Sequence, residues 1–282
     1  MIETLERHRC FGGELAFHAH DSSETGTRMR FGSFVPEAAA TRPLPVVYCL
    51  AGLTCTQETF LIKAGALRVA ARLGLILVAC DTSPRGLGLP GEDSDWDFGA
   101  GAGFYLDATQ APWAGHYRMG SYVDRELPAL VERHLPARSD VRGILGHSMG
   151  GHGALVLAQR APERWTSVSA FAPISHPSEV PWGRKAFTNY LGPDPAAWAE
   201  WDASVLMRRR AFPRPILVHQ GMADQFLAAQ LQPQALEAAA AASGQVLELH
   251  RCEGYDHSYW FIQSYIEAQL EHHARQLAIA PL

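Results

Sequence analysis

The sequence predicts an α/β fold, a mostly parallel central sheet with helices on both faces, and three observations carry that prediction. Short β-branched or aliphatic runs alternate with longer stretches of helical period along most of the chain. The short runs are apolar and bounded by glycine, proline or polar residues. Hydrophobic residues make up 47% and charged residues 19% of the 282 positions, the balance of a globule able to bury a large core. The length exceeds the usual ~150 residues per domain, but α/β folds reach ~250 or more as one unit. Neither a linker nor an internal repeat interrupts the chain, so residues 1–282 are expected to form one catalytic domain.

Taken in order, Glu14–His20 alternates and reads as an edge hairpin strand. Met29–Val35, Pro45–Leu50, Leu75–Ala79, Gly143–Gly146, Ser167–Phe171, Ile216–Gln220 and Leu247–Arg251 are the other strand candidates. Thr59–Leu73, Tyr122–His134, Met149–Arg160, Leu231–Ala242 and Tyr259–Leu277 are long enough to be crossover helices, and most space apolar residues three or four apart. Two segments break the rhythm: Thr82–Met119, rich in glycine, aspartate and aromatics, and Ser175–Asp202, marked by proline and tryptophan. Both read as long functional loops.

Composition removes several classes of partner. A net charge of −5 with mixed signs provides no basic field for nucleic acid or an anionic membrane surface. No run approaches the ~18 apolar residues of a membrane span. Cys10, Cys49, Cys55, Cys80 and Cys252 are odd in number, scattered and never in CxxC spacing, which argues for a reducing compartment and against a zinc knuckle. The first residues carry acids where a signal peptide needs positive charge, so a cytoplasmic protein acting on small molecules is expected.

The chemistry starts at Gly146-His147-Ser148-Met149-Gly150, directly after one apolar run and directly before a helical one. A serine on a tight strand-to-helix turn is held in a strained backbone, and the residues two before and two after it must be tiny because they pack under the turn. The helix N-terminus behind it favours the anion formed during attack. Alone the motif is ambiguous, since a Gly-rich turn also cradles phosphate; here the lysine of a P-loop and the GxGxxG of a dinucleotide turn are missing.

Partners follow in the order Ser, acid, His, each just past a strand, which is the order of the α/β-hydrolase fold. Asp224 lies past Ile216–Gln220, and His257 lies between Leu247–Arg251 and the last helix. Asp81 precedes the serine, Asp202 follows no strand, and Asp256 stands too close to His257 to orient its ring. The oxyanion hole is expected from the Met149 N–H and from Leu53 N–H in the loop Leu50–Thr56. His147 and His152 read as hydrogen-bonding neighbours of the nucleophile, since no HExxH or carboxylate cluster suggests a metal. His272 and His273, near the end of the last helix, read as structural residues complementing its dipole.

Over nearly its whole length the chain resembles the S-formylglutathione hydrolases, or esterase D family. The resemblance rests on Gly52-Leu53-Thr54-Cys55-Thr56, Asp81-Thr82-Ser83-Pro84-Arg85-Gly86, the run from Gly101 to Thr109, Tyr117-Arg118-Met119, Gly146–Ala154, Pro181-Trp182-Gly183 and the run from Gly254 to Tyr259. It implies hydrolysis of S-formylglutathione to glutathione and formate in formaldehyde detoxification, no cofactor, a homodimer, and Ser148, Asp224 and His257 in the roles derived above. Departures at Ser175 and His176 and across Gln110–His116 leave the acyl and thiol preference open. Candidate substrate contacts are Cys55 beside the oxyanion loop, Trp182 as an apolar wall, and Lys63, Arg85 and Lys185 as cations for the anionic glutathione. Two other readings stand beside this one: a general short-chain carboxylesterase or acyltransferase of the same fold, and a catalytically silent binding module.

Overall fold

A computed structural model describes residues 1–278. Nine strands form one sheet: β1 (Glu3–Cys10), β2 (Gly13–Asp21), β3 (Arg28–Pro36), β4 (Leu44–Leu50), β5 (Ile76–Cys80), β6 (Ala137–His147), β7 (Ser167–Phe171), β8 (Ile216–Gly221) and β9 (Leu247–Cys252). Their spatial order is β1-β2-β3-β5-β4-β6-β7-β8-β9. The pairs β1·β2, β2·β3 and β3·β5 are antiparallel, and every pair from β5 to β9 is parallel. The helices are α1 (Thr59–Lys63), α2 (Leu67–Leu73), α3 (Met119–Ser121), α4 (Leu127–His134), α5 (Met149–Arg160), α6 (Pro181–Leu191), α7 (Pro195–Ala199), α8 (Ala203–Arg209), α9 (Pro233–Ser243) and α10 (Tyr259–Gln276).

The winding explains where chemistry can sit. From β4 the chain passes through α1 and α2 to β5 on one side, then returns to β6 on the other side of β4. The carboxyl ends of β4 and β6 therefore flank a reversal of strand order, the place where open parallel sheets leave a crevice. β5 and β7 are buried at every position, as strands covered on both faces must be. Eleven of the twelve residues of α5 are buried, Met149 to Gln159, because this helix packs on β4, β6 and β7 and is roofed by α8. Each large apolar side chain so buried contributes roughly 1.5–3 kcal/mol.

Departures from expectation have local causes. The run Glu14–His20 falls within β2, which is interior; the edge strand is β1, whose polar sequence carries no apolar signal. Ion pairs from Arg7 to Glu14 on β2 and from Glu3 to Arg28 on β3, the next strand beyond, hold β1 instead. The expected helix Thr59–Leu73 is broken into α1 and α2 around Gly65, whose φ of 67° leaves the helical region. Ser175–Asp202 is not a loop throughout: α6 and α7 each begin with a proline at the first helical position, and the Asp194 carboxylate accepts the Ala196 N–H. Past it, Asp202 caps α8 by accepting the Val205 N–H. The helix expected from Tyr122 starts one turn earlier with α3 and widens over Tyr122–Glu126 before α4. Thr82–Met119 does remain largely irregular, yet Phe104, Tyr105, Leu106 and Tyr117 within it are fully buried.

Candidate active site

Ser148 joins the end of β6 to the start of α5 with φ 59° and ψ −118°, a conformation an L-residue holds only at a cost of order 1–3 kcal/mol. The surroundings leave it no alternative. Its N–H donates to the Phe171 carbonyl at 2.9 Å, and its own carbonyl accepts from His152 N–H at 3.0 Å and Ile174 N–H at 3.3 Å. A Cβ on Gly146 would lie 1.9 Å from the Gly150 carbonyl oxygen, and one on Gly150 would lie 2.1 Å from that of Leu50. Neither glycine can be replaced without moving backbone. Met149 opens α5, so its N–H has no acceptor inside the helix.

The loop after β4 lies against this turn. A Cβ on Gly52 would stand 3.2 Å from Ser148 Cβ, so only glycine allows so close an approach. Thr54, at φ 68°, donates its N–H to Gly101 at 2.9 Å, and Cys55 N–H reaches back to Gly52 at 3.3 Å. Among the described residues the Leu53 N–H between them makes no hydrogen bond. Two unspent N–H groups, Leu53 and Met149, thus flank Ser148.

From the far side, Asp224 follows β8 and His257 follows β9. Oδ2 of Asp224 accepts the His257 Nδ1–H at 2.5 Å, and Oδ1 accepts the Phe226 N–H at 2.8 Å. The carboxylate side chain is wholly buried while the imidazole keeps 13% of its surface exposed, which leaves one edge of the ring available. The ring is held between His147, at 4.5 Å between centroids, and the edge of Phe226, at 5.1 Å. The other acids are occupied elsewhere: Asp81 grips Arg85, Asp202 holds His176 at 2.8 Å as well as capping α8, and exposed Asp256 caps Ser258.

His147 and His152 do not act as expected. Among the described residues neither ring makes a hydrogen bond, although both are buried. Burial and the neighbouring His257 push His147 well below the usual histidine range, and burial takes His152 to about 4. Both are neutral aromatic packing, and His147 is a wall for the His257 ring that does not compete for its proton. His272 and His273 are structural for a different reason from the one expected: both are buried on the sheet, and burial keeps them neutral instead of charged toward the helix dipole.

The candidate substrate contacts divide. Trp182, the second residue of α6, packs at 4.7 Å on Phe226, which itself touches His257; exposed Trp96 stands edge-on to Trp182 at 5.5 Å. Phe226 and Trp96 were not singled out from sequence, though Phe226 stands two residues after Asp224 and Trp96 is an isolated tryptophan in a Gly/Asp-rich loop. Cys55 follows the oxyanion loop, with burial pushing its thiol up against the opposing influence of Thr59, Tyr259 and the Lys63 charge. Lys63 sits exposed at the end of α1. Arg85 is locked on Asp81 at 2.9 Å and on the Cys55 carbonyl at 2.9 Å, so it braces the oxyanion loop.

A strained serine, an imidazole oriented by a buried carboxylate and stacked at 4.5 Å on His147, the residue before that serine, and two N–H groups on the adjoining loop and helix are the kinds of group that acyl transfer uses. Known proteins agree with that chemistry. The putative esterase family model matches residues 22–272. An S-formylglutathione hydrolase of Paracoccus denitrificans (strain Pd 1222) is 49% identical over 275 residues, 98% of each chain. The solved S-formylglutathione hydrolase of Agrobacterium tumefaciens superposes with a TM-score of 0.94 at 44% identity, over 97% of this chain and 99% of that one. A fluorophosphonate-binding serine hydrolase of Staphylococcus aureus shares the fold, with a TM-score of 0.71 at 15% identity over 93% of this chain and 98% of that one. The chain therefore belongs to the S-formylglutathione hydrolase family of esterases.

Proposed function

We propose that this chain hydrolyses S-formylglutathione to glutathione and formate through a formyl-enzyme on Ser148. The observation that carries the reading is the 2.5 Å contact from His257 Nδ1 to the buried Asp224 carboxylate, beside a serine held at φ 59°. With Nδ1–H committed to Asp224, Nε2 is the basic nitrogen, and it takes the Ser148 proton as Oγ attacks the formyl carbon. Negative charge moves onto the carbonyl oxygen, where the Leu53 and Met149 N–H groups receive it. Collapse breaks the C–S bond, and glutathione, whose thiol has a pKa of about 8.5, takes the proton of the His257 imidazolium as it leaves, which restores the neutral ring. Water then attacks the formyl-enzyme, giving a proton to His257, and His257 returns it to Ser148 Oγ as formate leaves.

No step in this sequence calls for a metal or an organic cofactor. The family likeness supports a homodimer, the five unpaired cysteines support a reducing cytoplasmic setting, and the continuous sheet supports one catalytic domain for the whole chain. Measuring kcat/KM for S-formylglutathione against simple acetate esters tests the substrate. A preference for the thioester is expected; a preference for the ester makes the chain a general carboxylesterase.

A further inference from the structure

A cleft of about 520 Å³ opens at the carboxyl edge of the sheet, where the start of β3 meets the ends of β4 and β5. Arg28, Arg30 and Arg85 line it together with Gln57, Glu58 and Asp81. One wall is the continuation, Thr56 to Glu58, of the loop that carries Leu53. Arg85 and Thr82 both hydrogen-bond the Cys55 carbonyl, at 2.9 and 2.6 Å, and Asp81 N–H donates to the Arg30 carbonyl at 3.2 Å. The same loop that offers Leu53 N–H to the reacting carbonyl thus forms one wall of the cleft.

Distance also matches. Neighbouring strands stand about 4.8 Å apart, so β5 and β3 lie about 10 and 14 Å from β6, which ends at the nucleophile. The γ-glutamyl arm, counted from the thiol sulfur to its α-carboxylate, spans eight bonds and extends about 10 Å. A thioester seated on Ser148 with its thiol side turned toward β5 reaches this cleft.

The charges differ in availability. Arg85 is committed to Asp81, and Arg28 to Glu3 and Asp21. Arg30 is exposed, and among the described residues no carboxylate lies within ion-pairing distance of it. Glu58, exposed across the cleft, accepts a hydrogen bond only from Gln57 Nε2, at 3.1 Å, among the described residues. One free cation facing one free carboxylate suits an α-amino acid head, whose carboxylate and ammonium carry the opposite charges. The cleft beside Lys185 lacks this character, because Asp95 and Asp97 both hold that ammonium.

We propose that this cleft seats the γ-glutamyl head of the substrate, with Arg30 holding its α-carboxylate and Glu58 its α-ammonium. The assignment rests on the S-formylglutathione reading and adds the residues that select the thiol. Both side chains set specificity without touching the reacting atoms.

The test compares three substrates: S-formylglutathione, N-acetyl-S-formyl-cysteinylglycine, which lacks the γ-glutamyl group, and p-nitrophenyl acetate. Wild type is expected to favour the full thioester over the truncated one by about ten- to a hundred-fold in kcat/KM, the size of one charge-assisted contact. Arg30→Gln should remove most of that preference through KM and leave the acetate ester unchanged, Arg30→Lys should restore part of it, and Glu58→Gln should remove a smaller part. A preference undiminished in Arg30→Gln, or an equal fall on all three substrates, overturns the assignment. Wild type that cleaves the acetate ester but not S-formylglutathione refutes the functional reading itself, a result distinct from an unaltered Arg30→Gln variant.

Discussion

His273 and His257 both hold polar partners at close range, but their surroundings differ. His273 lies beneath β7 with Nδ1 at 2.6 Å from Ser167 Oγ and Nε2 at 2.8 Å from Ser169 Oγ. It has no exposed surface, and burial together with the neighbouring His272 holds it neutral. A neutral ring gives one N–H and takes one O–H, so both serines are satisfied and nothing is left over. His257 has one committed nitrogen, on Asp224, and one open edge. A serine–histidine contact is therefore ordinary core chemistry. The carboxylate behind the ring, the strained turn in front and access to solvent distinguish the reactive case.

The largest effect expected from this contrast is on Ser148. Ser148→Ala should lower kcat by about 10⁴- to 10⁶-fold with folding preserved, while Ser167→Ala should leave kcat within about two-fold and cost about 1 kcal/mol in denaturant unfolding. Comparable losses of activity in the two variants would erase the distinction.

The acids give the next effect. Asp224→Asn should reduce kcat by about 10⁴-fold, because an amide no longer enforces the productive tautomer of His257. Asp202→Asn, in the other buried aspartate–histidine pair, should leave kcat intact and lower stability by about 1 kcal/mol or less through the altered α8 cap. Steady-state kinetics beside urea melts separates the outcomes, and activity retained in Asp224→Asn would move the role to another carboxylate.

The last effect falls on stability instead of rate and concerns the buried rings. His18, His152 and His219 are held at about 4, chiefly by burial, against an ordinary 6.5. Their folded values lie below their unfolded ones, so the stability they contribute is complete above pH 6.5 and is lost as pH falls toward 4. Each should add a slope of about 1.4 kcal/mol per pH unit within that window, measurable as a falling unfolding free energy. A flat profile between pH 6.5 and 4 would show that these rings are not kept neutral.

Sequence was most informative where one conformation has no substitute. The elbow from Gly146 to Gly150 was legible because its glycines are demanded by backbone contacts, and β7 and α5 occur with the expected bounds because every residue of β7 and all but the last of α5 are buried in a mostly apolar run. Asp224 and His257 were legible from chain order just past strands. β1 was not, since an edge strand held by ion pairs has no apolar period to detect. α6 and α7 were hidden because the prolines that start them also read as loop residues. His147 and His152 were misread because proximity to a nucleophile suggests hydrogen bonding, whereas burial decided their state. Arg30 and Glu58 carried no signal, since they come to line one cleft only when β3 is brought antiparallel to β5.

Stoichiometric labelling by a fluorophosphonate, with the modified peptide identified by mass spectrometry, tests the central claim most directly. The triad account predicts rapid modification of Ser148 alone, slowed by orders of magnitude in His257→Ala. Native protein that stays unlabelled, or that labels equally fast without His257, would contradict it.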